Sequence, residues 1–400
     1  MKLAALPPVR RAVPFRRGSP TERHAVEQFF GDRKIALYPS GTAALAEAIT
    51  QCAARRQVRA PEVIIPAYGC PDLVAACAYA SAYPRLVDVA SSHWAYDREA
   101  LRSSLSDNTI AIVAVNLLGI GDSSAELTAI CKAKKIALIQ DSAQFLPRHP
   151  IEWPGDYVVL SFGRGKPLNL LHGGALIFPA NRDVAVPTQP ARYAPKDRIL
   201  ASWTAAAAFN FLTRPLPYGL LSSLPRTGLG QVVYKPISNC APLPTRAWTR
   251  VGAAFERYRK EQSYSSTRWE PFVEAWADMG LEPLVSSDSV LQLEPLRLTL
   301  LAPGRIARDT LVAHLNKNGL GASHFYGADL PRISGIPDFV KLQGPVPQAS
   351  TLADRLFTLP THDLVTAATI QRTRDIVSQW HRSLASQRTP SIGDPNLRRT

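Results

Sequence analysis

Tyr157-Val-Val-Leu-Ser-Phe-Gly-Arg-Gly-Lys-Pro-Leu-Asn-Leu-Leu-His-Gly-Gly174 joins a short apolar run to a glycine-rich turn that carries Lys166. Tyr157 to Phe162 is β-branched and aromatic, which predicts a buried strand, and the glycines on either side of Arg164 predict an exposed turn at its end. A turn of this kind presents an amine. Lysine is the side chain that forms Schiff bases with carbonyl compounds, and a second cation such as Arg164 would favour its neutral, reactive form. A solvated loop lysine fits the same stretch equally well, so the surroundings must decide.

Upstream, apolar strands alternate with amphipathic helices. The pattern predicts strands at Val63–Ile65, Leu86–Asp88, Ile110–Val115, Ile136–Ile139, Tyr157–Phe162 and Gly174–Phe178. Helices are predicted at Asp72–Ala80, Asp97–Leu105 and Ala125–Ala133. This alternation defines an α/β fold with a mostly parallel central sheet flanked by helices. Ligands of such sheets bind beyond the carboxyl ends of the strands. At one of those ends stands Ile136-Ala-Leu-Ile-Gln-Asp-Ser-Ala-Gln144, which places Asp141 just after a buried run. A carboxylate there needs a partner, either a helix N-terminus or a protonated ring nitrogen. Before an Ala-rich helix comes Ser40-Gly-Thr42. The start of that helix offers free backbone N–H groups for a phosphate, and an isolated Ser-Gly-Thr also serves as a plain helix cap. A phosphate seat, an acid and a lysine at the ends of one sheet are together what pyridoxal phosphate requires.

Composition sets the limits. The chain has 400 residues, beyond the size at which one core stops growing, so two domains are expected. Apolar residues make up 46% and charged residues 20%, an ordinary globular balance. The net charge of +14 suits an anionic partner, and the absence of a zinc-finger or RNA-binding pattern argues against nucleic acid. The five cysteines, odd in number and without a C-x-x-C pair, argue against disulfides and structural zinc; no metal is expected. The N-terminus has neither the signal-peptide nor the transmembrane pattern, and the reading is a cytoplasmic protein.

The marks that run through the chain are Ser40-Gly-Thr-Ala-Ala-Leu45, Val63-Ile-Ile-Pro-Ala-Tyr68, Asp88, Gly119, Asp141-Ser-Ala-Gln144 and Ser161-Phe162. They continue with Lys166, Gly173-Gly174, Tyr326 after Gly319-Leu-Gly321, and Leu359-Pro-Thr-His362. In this order, from about residue 31 to about 377, the chain resembles the DegT/DnrJ/EryC1/StrS family, pyridoxal-phosphate sugar aminotransferases of fold type I. The resemblance implies that Lys166 carries the cofactor and that Asp141 pairs with its ring nitrogen. It places Gln144 by the ring and Gly41, Thr42, Ala43 and Ser161 around the phosphate. Asn239 is implied to reach the phosphate of a second subunit, so a homodimer with shared active sites follows. Cys70 stands where the family has a ring-stacking aromatic, with Tyr68 nearby as a substitute. His172 replaces a usual Glu, Gly163 a common His, Ala241 a common Arg, and Phe325 the His of a His-Tyr pair, with His324 adjacent. These differences bear on the substrate more than on the cofactor; Tyr68, His172 and Tyr326 are taken as substrate-facing.

The implied activity is transfer of an amino group, with glutamate as default donor, to a nucleotide-linked keto sugar in amino-sugar or polysaccharide biosynthesis. Rival readings are an enzyme of the same fold with a non-sugar substrate and a non-catalytic cofactor-binding homologue. The dehydratase branch of the family carries His in place of the lysine, and Lys166 argues against it. The expected organisation is an N-terminal arm (1–20), a large cofactor domain (21–247) with an insertion at about 187–237, a smaller C-terminal α+β domain (248–385) and a disordered tail (386–400). The arm is expected to lie on its own chain or on a second subunit. In the small domain, residues 296–301 read as a strand and 307–318 and 368–384 as helices; a helix from Trp248 to about Arg268 leads into it.

Overall fold

Val63–Ile65 and Ile110–Val115, apolar and buried throughout, lie side by side at the heart of an eight-stranded sheet. The computed structural model describes residues 4–15, 20–121, 125–180, 186–187, 203–224, 232–244, 247–260, 269, 273, 276–285, 296–342 and 344–388. In chain order the large sheet and its helices are α1 (Pro20–Phe29), β1 (Ile35–Tyr38), α2 (Gly41–Arg56), β2 (Glu62–Pro66), α3 (Asp72–Tyr79) and β3 (Tyr83–Val87). They continue with α4 (Arg98–Ser104), β4 (Thr109–Val115), α5 (Ala125–Lys134), β5 (Ala137–Asp141), β6 (Tyr157–Ser161) and β7 (Gly174–Ile177). Helices α6 (Trp203–Leu212), α7 (Pro215–Ser223) and α8 (Trp248–Lys260) follow. The last elements are β8 (Glu282–Pro283), β9 (Arg297–Leu301), α9 (Arg305–Lys317), β10 (Lys341–Leu342), α10 (Pro347–Arg355), β11 (Leu356–Pro360) and α11 (Ala367–Arg388).

The strand order is β1-β7-β6-β5-β4-β2-β3-β10. Strands β6, β5, β4, β2, β3 and β10 are parallel to their neighbours, whereas β7 and β1 close one edge antiparallel. The predicted parallel sheet is therefore borne out. The alternation left β1 and the two-residue β10 unread, because edge pairing is supplied by neighbours remote in sequence. Chain order reverses between β2 and β4, the crevice where ligands of open α/β sheets bind. Helices α2 and α3 bury one face, with Ala44, Ile49, Leu73 and Val74 on Ile65 and Val113. The other face is covered by α4 and α5 over Ile64, Ile112 and Leu138, and by α1 and α8, whose Val26, Phe29 and Phe255 meet Val158 and Leu160.

Strands β11, β9 and β8 form a separate antiparallel sheet packed with α9 and α11 through Leu300, Leu311, Phe357 and Val377. Asp88, just after β3, ties this region to the large sheet. Its buried carboxylate accepts from Gln348 N–H (3.0 Å) and Ala349 N–H (2.7 Å) at the start of α10. Negative charge at a helix N-terminus is favourable, which gives Asp88 a structural task. Residues 4–15 lie on their own chain. Ala5 N–H donates to the Pro215 carbonyl and Leu6 N–H to that of Gly319, each at 2.9 Å. Asn169 Nδ2 donates to the Arg11 carbonyl at 2.6 Å. The insertion is described only at 187, 203–224 and 232–237, where α6 and α7 form a short helical pair; most of the tail lies outside the described residues. Among the described residues no helix is long and apolar enough to cross a membrane.

Candidate active site

Four parallel strands end on one pocket. Cys70 follows β2, Asn116 follows β4, Asp141 ends β5 and Ser161 ends β6; Lys166 enters from the turn beyond β6 and Gly41 and Thr42 from the start of α2. The close approach of α2 to the sheet depends on glycine. A Cβ on Gly174 would stand 2.5 Å from Gly41 N, and one on Gly41 would stand 2.8 Å from Ser161 Cβ. Ser40 caps the helix, its hydroxyl accepting from Ala43 N–H at 3.0 Å, and the first intrahelical bond runs from Ala44 N–H to the Ser40 carbonyl. The N–H groups of Gly41 and Thr42 precede that bond and are the natural donors to an anion. Ala43, expected beside the phosphate, spends its N–H on the cap instead. The Thr42 hydroxyl, expected on the phosphate too, donates to Asp72 Oδ2 at 3.0 Å. Asp72 sits in the first turn of α3, where the helix dipole favours an acid, and it faces the start of α2.

Asp141 is held by Ala143 N–H, which donates to Oδ1 at 3.0 Å. Burial pushes its carboxyl above the ordinary value, opposed by that hydrogen bond and by the positive charge of Lys166. A cation placed against it would reverse the cost of burial. Gln144 links the two parts of the molecule: Oε1 accepts from Leu118 N–H (2.9 Å), while Nε2 donates to the hydroxyl of Tyr326 (2.9 Å). Tyr326 stacks obliquely on the buried ring of Tyr68, centroids 5.5 Å apart. Burial, first of all, raises the Tyr326 phenol well above its ordinary value, so it stays protonated. The Cys70 thiol lines the pocket, and burial pushes it up to about 12, so it is a neutral wall and not a nucleophile.

Tyr68, Arg164, His172 and Asn239 all fall outside this pocket, Tyr68 being buried against Tyr326. His172 is exposed and does not line it, and neither does the exposed Arg164. Asn239 is also exposed, its Oδ1 accepting from Ala241 N–H at 2.9 Å, and it does not line the pocket of its own chain. Two polar lining residues, Asn116 and Asp72, were not read from the sequence. Asn116 donates Nδ2 to Ser142 Oγ (2.7 Å), and its Oδ1 is buried without a partner. The signal for Asn116 was its place right after the apolar β4, since Val115 pairs in register with Asp141. Among the described residues no group of His, Cys, Asp or Glu is arranged to hold a metal ion. An amine, a half-buried acid and free helix N–H groups at one crevice fit a phosphate-bearing aldehyde with a basic ring nitrogen.

This fold, a mostly parallel sheet with a smaller sheet beside it, is that of the fold type I pyridoxal-phosphate-dependent transferases. Spr1654 of Streptococcus pneumoniae, named as a sugar aminotransferase and solved in its PLP form, superposes with a TM-score of 0.68 at 17% identity, covering 92% of this chain and 93% of that one. 3-Amino-5-hydroxybenzoic acid (AHBA) synthase gives 0.65 at 18% identity over 91% and 90%. The Escherichia coli GDP-4-keto-6-deoxy-D-mannose-3-dehydratase gives 0.68 at 14% over 94% and 100%. More particularly, residues 18–185 match the DegT/DnrJ/EryC1/StrS aminotransferase family, which bears out the resemblance drawn from the sequence. A Micromonospora echinospora protein named as an L-glutamine:3-amino-2,3-dideoxy-scyllo-inosose aminotransferase is 30% identical over 126 residues. That match spans 29% of this chain and 29% of the relative's length.

Proposed function

We propose that this protein is a pyridoxal-phosphate-dependent aminotransferase that moves an amino group from glutamate to a keto sugar carried on a nucleotide. The observation that carries this reading is the convergence of Lys166, Asp141 and the N-terminus of α2 on one pocket at the carboxyl ends of the strands. Pyridoxal phosphate, when bound, supplies an aldehyde carbon and a ring that takes up the electron pair released at the alpha carbon of an amino donor. Gly41 and Thr42 bind the phosphate through backbone N–H groups. Asp141 holds the proton on the ring nitrogen, and its half-buried carboxylate gains a cationic partner in return. Lys166 Nζ takes the proton from the donor's alpha carbon as general base. Tyr326, held by Gln144 and packed against the buried Tyr68, forms one wall of the pocket.

In this reading the enzyme works in the cytoplasm as a homodimer, in which Asn239 of a second copy completes the phosphate seat. With the Thr42 hydroxyl committed to Asp72, the helix start has one donor fewer for a phosphate, which a donor from a second copy would replace. A non-sugar acceptor is the second reading, favoured by Cys70, which lines the pocket in place of the family's ring-stacking aromatic. The test is borohydride reduction of the purified yellow protein followed by peptide mapping. The visible band is expected to vanish and the label to sit on Lys166. A label on another lysine, with Lys166→Ala retaining the band, ends the assignment. A screen of keto-sugar and non-sugar acceptors then separates the two readings.

A further inference from the structure

Beside the lysine pocket, and sharing Gln144 with it, a second cavity opens between the N-terminal arm, α8 and the loop after β11. Its wall is crowded with positive charge. Arg10 and Arg11 come from the arm, Arg148 from the loop after β5 and Arg257 from α8, against a single lining carboxylate among the described residues, Asp363. Arg10 pairs with Asp363, yet its side chain is only 10% exposed and its Nε is buried without a hydrogen-bond partner. Arg297, at the start of β9 next to the lining residue Leu296, has a buried Nε in the same condition. Both lie close enough to His362, another lining residue, to help burial hold its imidazole below the ordinary value. The guanidinium carbons of Arg11 and Arg148 stand 5.0 and 4.7 Å from the centroid of one ring, Tyr258.

Like charges gathered around one cavity repel, and buried guanidinium N–H groups left without acceptors cost free energy. An anion in the cavity removes both costs at once. The cavity is also registered on the lysine. Pro167 lines it directly after Lys166, and the arm is pressed onto the lysine turn: a Cβ on Gly165, whose φ is +71°, would come within 2.7 Å of Val9.

We propose that this cavity is an oxyanion subsite, which holds a phosphate or carboxylate group of a substrate while the reacting end of that substrate lies at Lys166. The position of the reacting end rests on the aminotransferase reading; the anion site itself does not. The two sources of such a group are the phosphates of the acceptor and the carboxylates of the amino donor.

The experiment is calorimetric titration of the full-length, cofactor-loaded protein with inorganic pyrophosphate and, separately, with glutarate. Wild type is compared with Arg11→Gln, Arg148→Gln and Arg257→Gln, with Arg257→Lys, and with Arg59→Gln at an exposed arginine outside the cavity. At least one anion is expected to bind saturably, weakened about tenfold by each cavity Arg→Gln change, as for one charge-assisted hydrogen bond. Arg257→Lys is expected to retain part of the affinity and Arg59→Gln all of it. Dependence confined to pyrophosphate assigns the subsite to the acceptor, and dependence confined to glutarate assigns it to the donor. Circular dichroism and melting curves identify any variant that is merely misfolded, and phenylglyoxal labelling of wild type, with the arginines expected to be protected by the bound anion, gives a readout without substitution. The proposal is overturned if neither anion binds, if Arg59→Gln weakens binding as much as the cavity variants do, or if bound anion leaves cavity-arginine labelling unchanged. Because no turnover is measured, anion binding with no label on Lys166 would fail the aminotransferase reading alone. A labelled Lys166 without anion binding would fail only the subsite.

Discussion

Gly174→Ala is the most demanding test of how the phosphate seat is built. The added Cβ would lie 2.5 Å from Gly41 N and 2.6 Å from the carbonyl carbon and oxygen of Ser40, about 0.9 Å inside the 3.4 Å at which ordinary contact begins. All three atoms are backbone, so no side chain can swing away, and either β7 or the start of α2 must move. Overpacking of this kind costs about 1–3 kcal/mol, and the rigid neighbours place this case near 3 kcal/mol. The same displacement carries the N–H groups of Gly41 and Thr42 away from an anion, which is expected to weaken cofactor binding by about tenfold or more. Gly163→Ala is the matched control. A Cβ there meets nothing closer than Ser161 Oγ at 3.6 Å, and stability is expected to stay within about 0.5 kcal/mol of wild type. Urea unfolding followed by circular dichroism gives the stability, and titration of the visible band gives the cofactor affinity. If Gly174→Ala is as stable as Gly163→Ala and binds cofactor as wild type does, the close-packed seat is refuted.

Asp141→Asn is expected to keep most of the cofactor affinity yet slow proton abstraction strongly, because a charged hydrogen bond worth about 1.5–3 kcal/mol becomes a neutral one; stopped-flow half-reactions check it, and unchanged rates would refute it. The Glu62 carboxylate, 3% exposed, accepts from Arg85 Nη2 (2.8 Å), Ser106 Oγ (2.7 Å) and Lys341. Burial raises its carboxyl, but hydrogen bonds from Lys341, Ser106 and Arg85 outweigh burial and leave it below the ordinary glutamate value. The stabilisation is therefore fully present above about pH 4.5 and is lost as pH falls through the lower folded value. The stability gap between wild type and Glu62→Gln should accordingly narrow below pH 4.5, and urea midpoints at pH 7, 5, 4 and 3 that keep a constant gap would contradict this. For the dimer, Lys166→Ala mixed with an Asn239→Ala variant should recover activity toward roughly a quarter of wild type, since about half of randomly exchanged dimers carry one intact site. No recovery despite proven subunit exchange would remove Asn239 from the phosphate seat.

The reach of the sequence in this chain follows from what local pattern encodes. Alternating apolar strands and amphipathic helices between residues 62 and 178 are periodic signals carried by neighbours in sequence, so the parallel sheet and its helices were readable. The placement of Lys166 and Asp141 was readable for the same reason, because each ends or follows an apolar strand. Contacts between segments far apart in sequence carry no such period. The order of the strands brings Asn116 into line with Asp141, and the packing of α3 on α2 sets Asp72 against Thr42, taking a hydroxyl away from the phosphate seat. Tyr326 meets Gln144 across 182 positions of chain, and Arg10 meets Asp363 across 353. The cavity of arginines exists only because the arm folds back over the lysine turn, a long-range closure whose free energy depends on the assembled surface and leaves no local trace in the sequence.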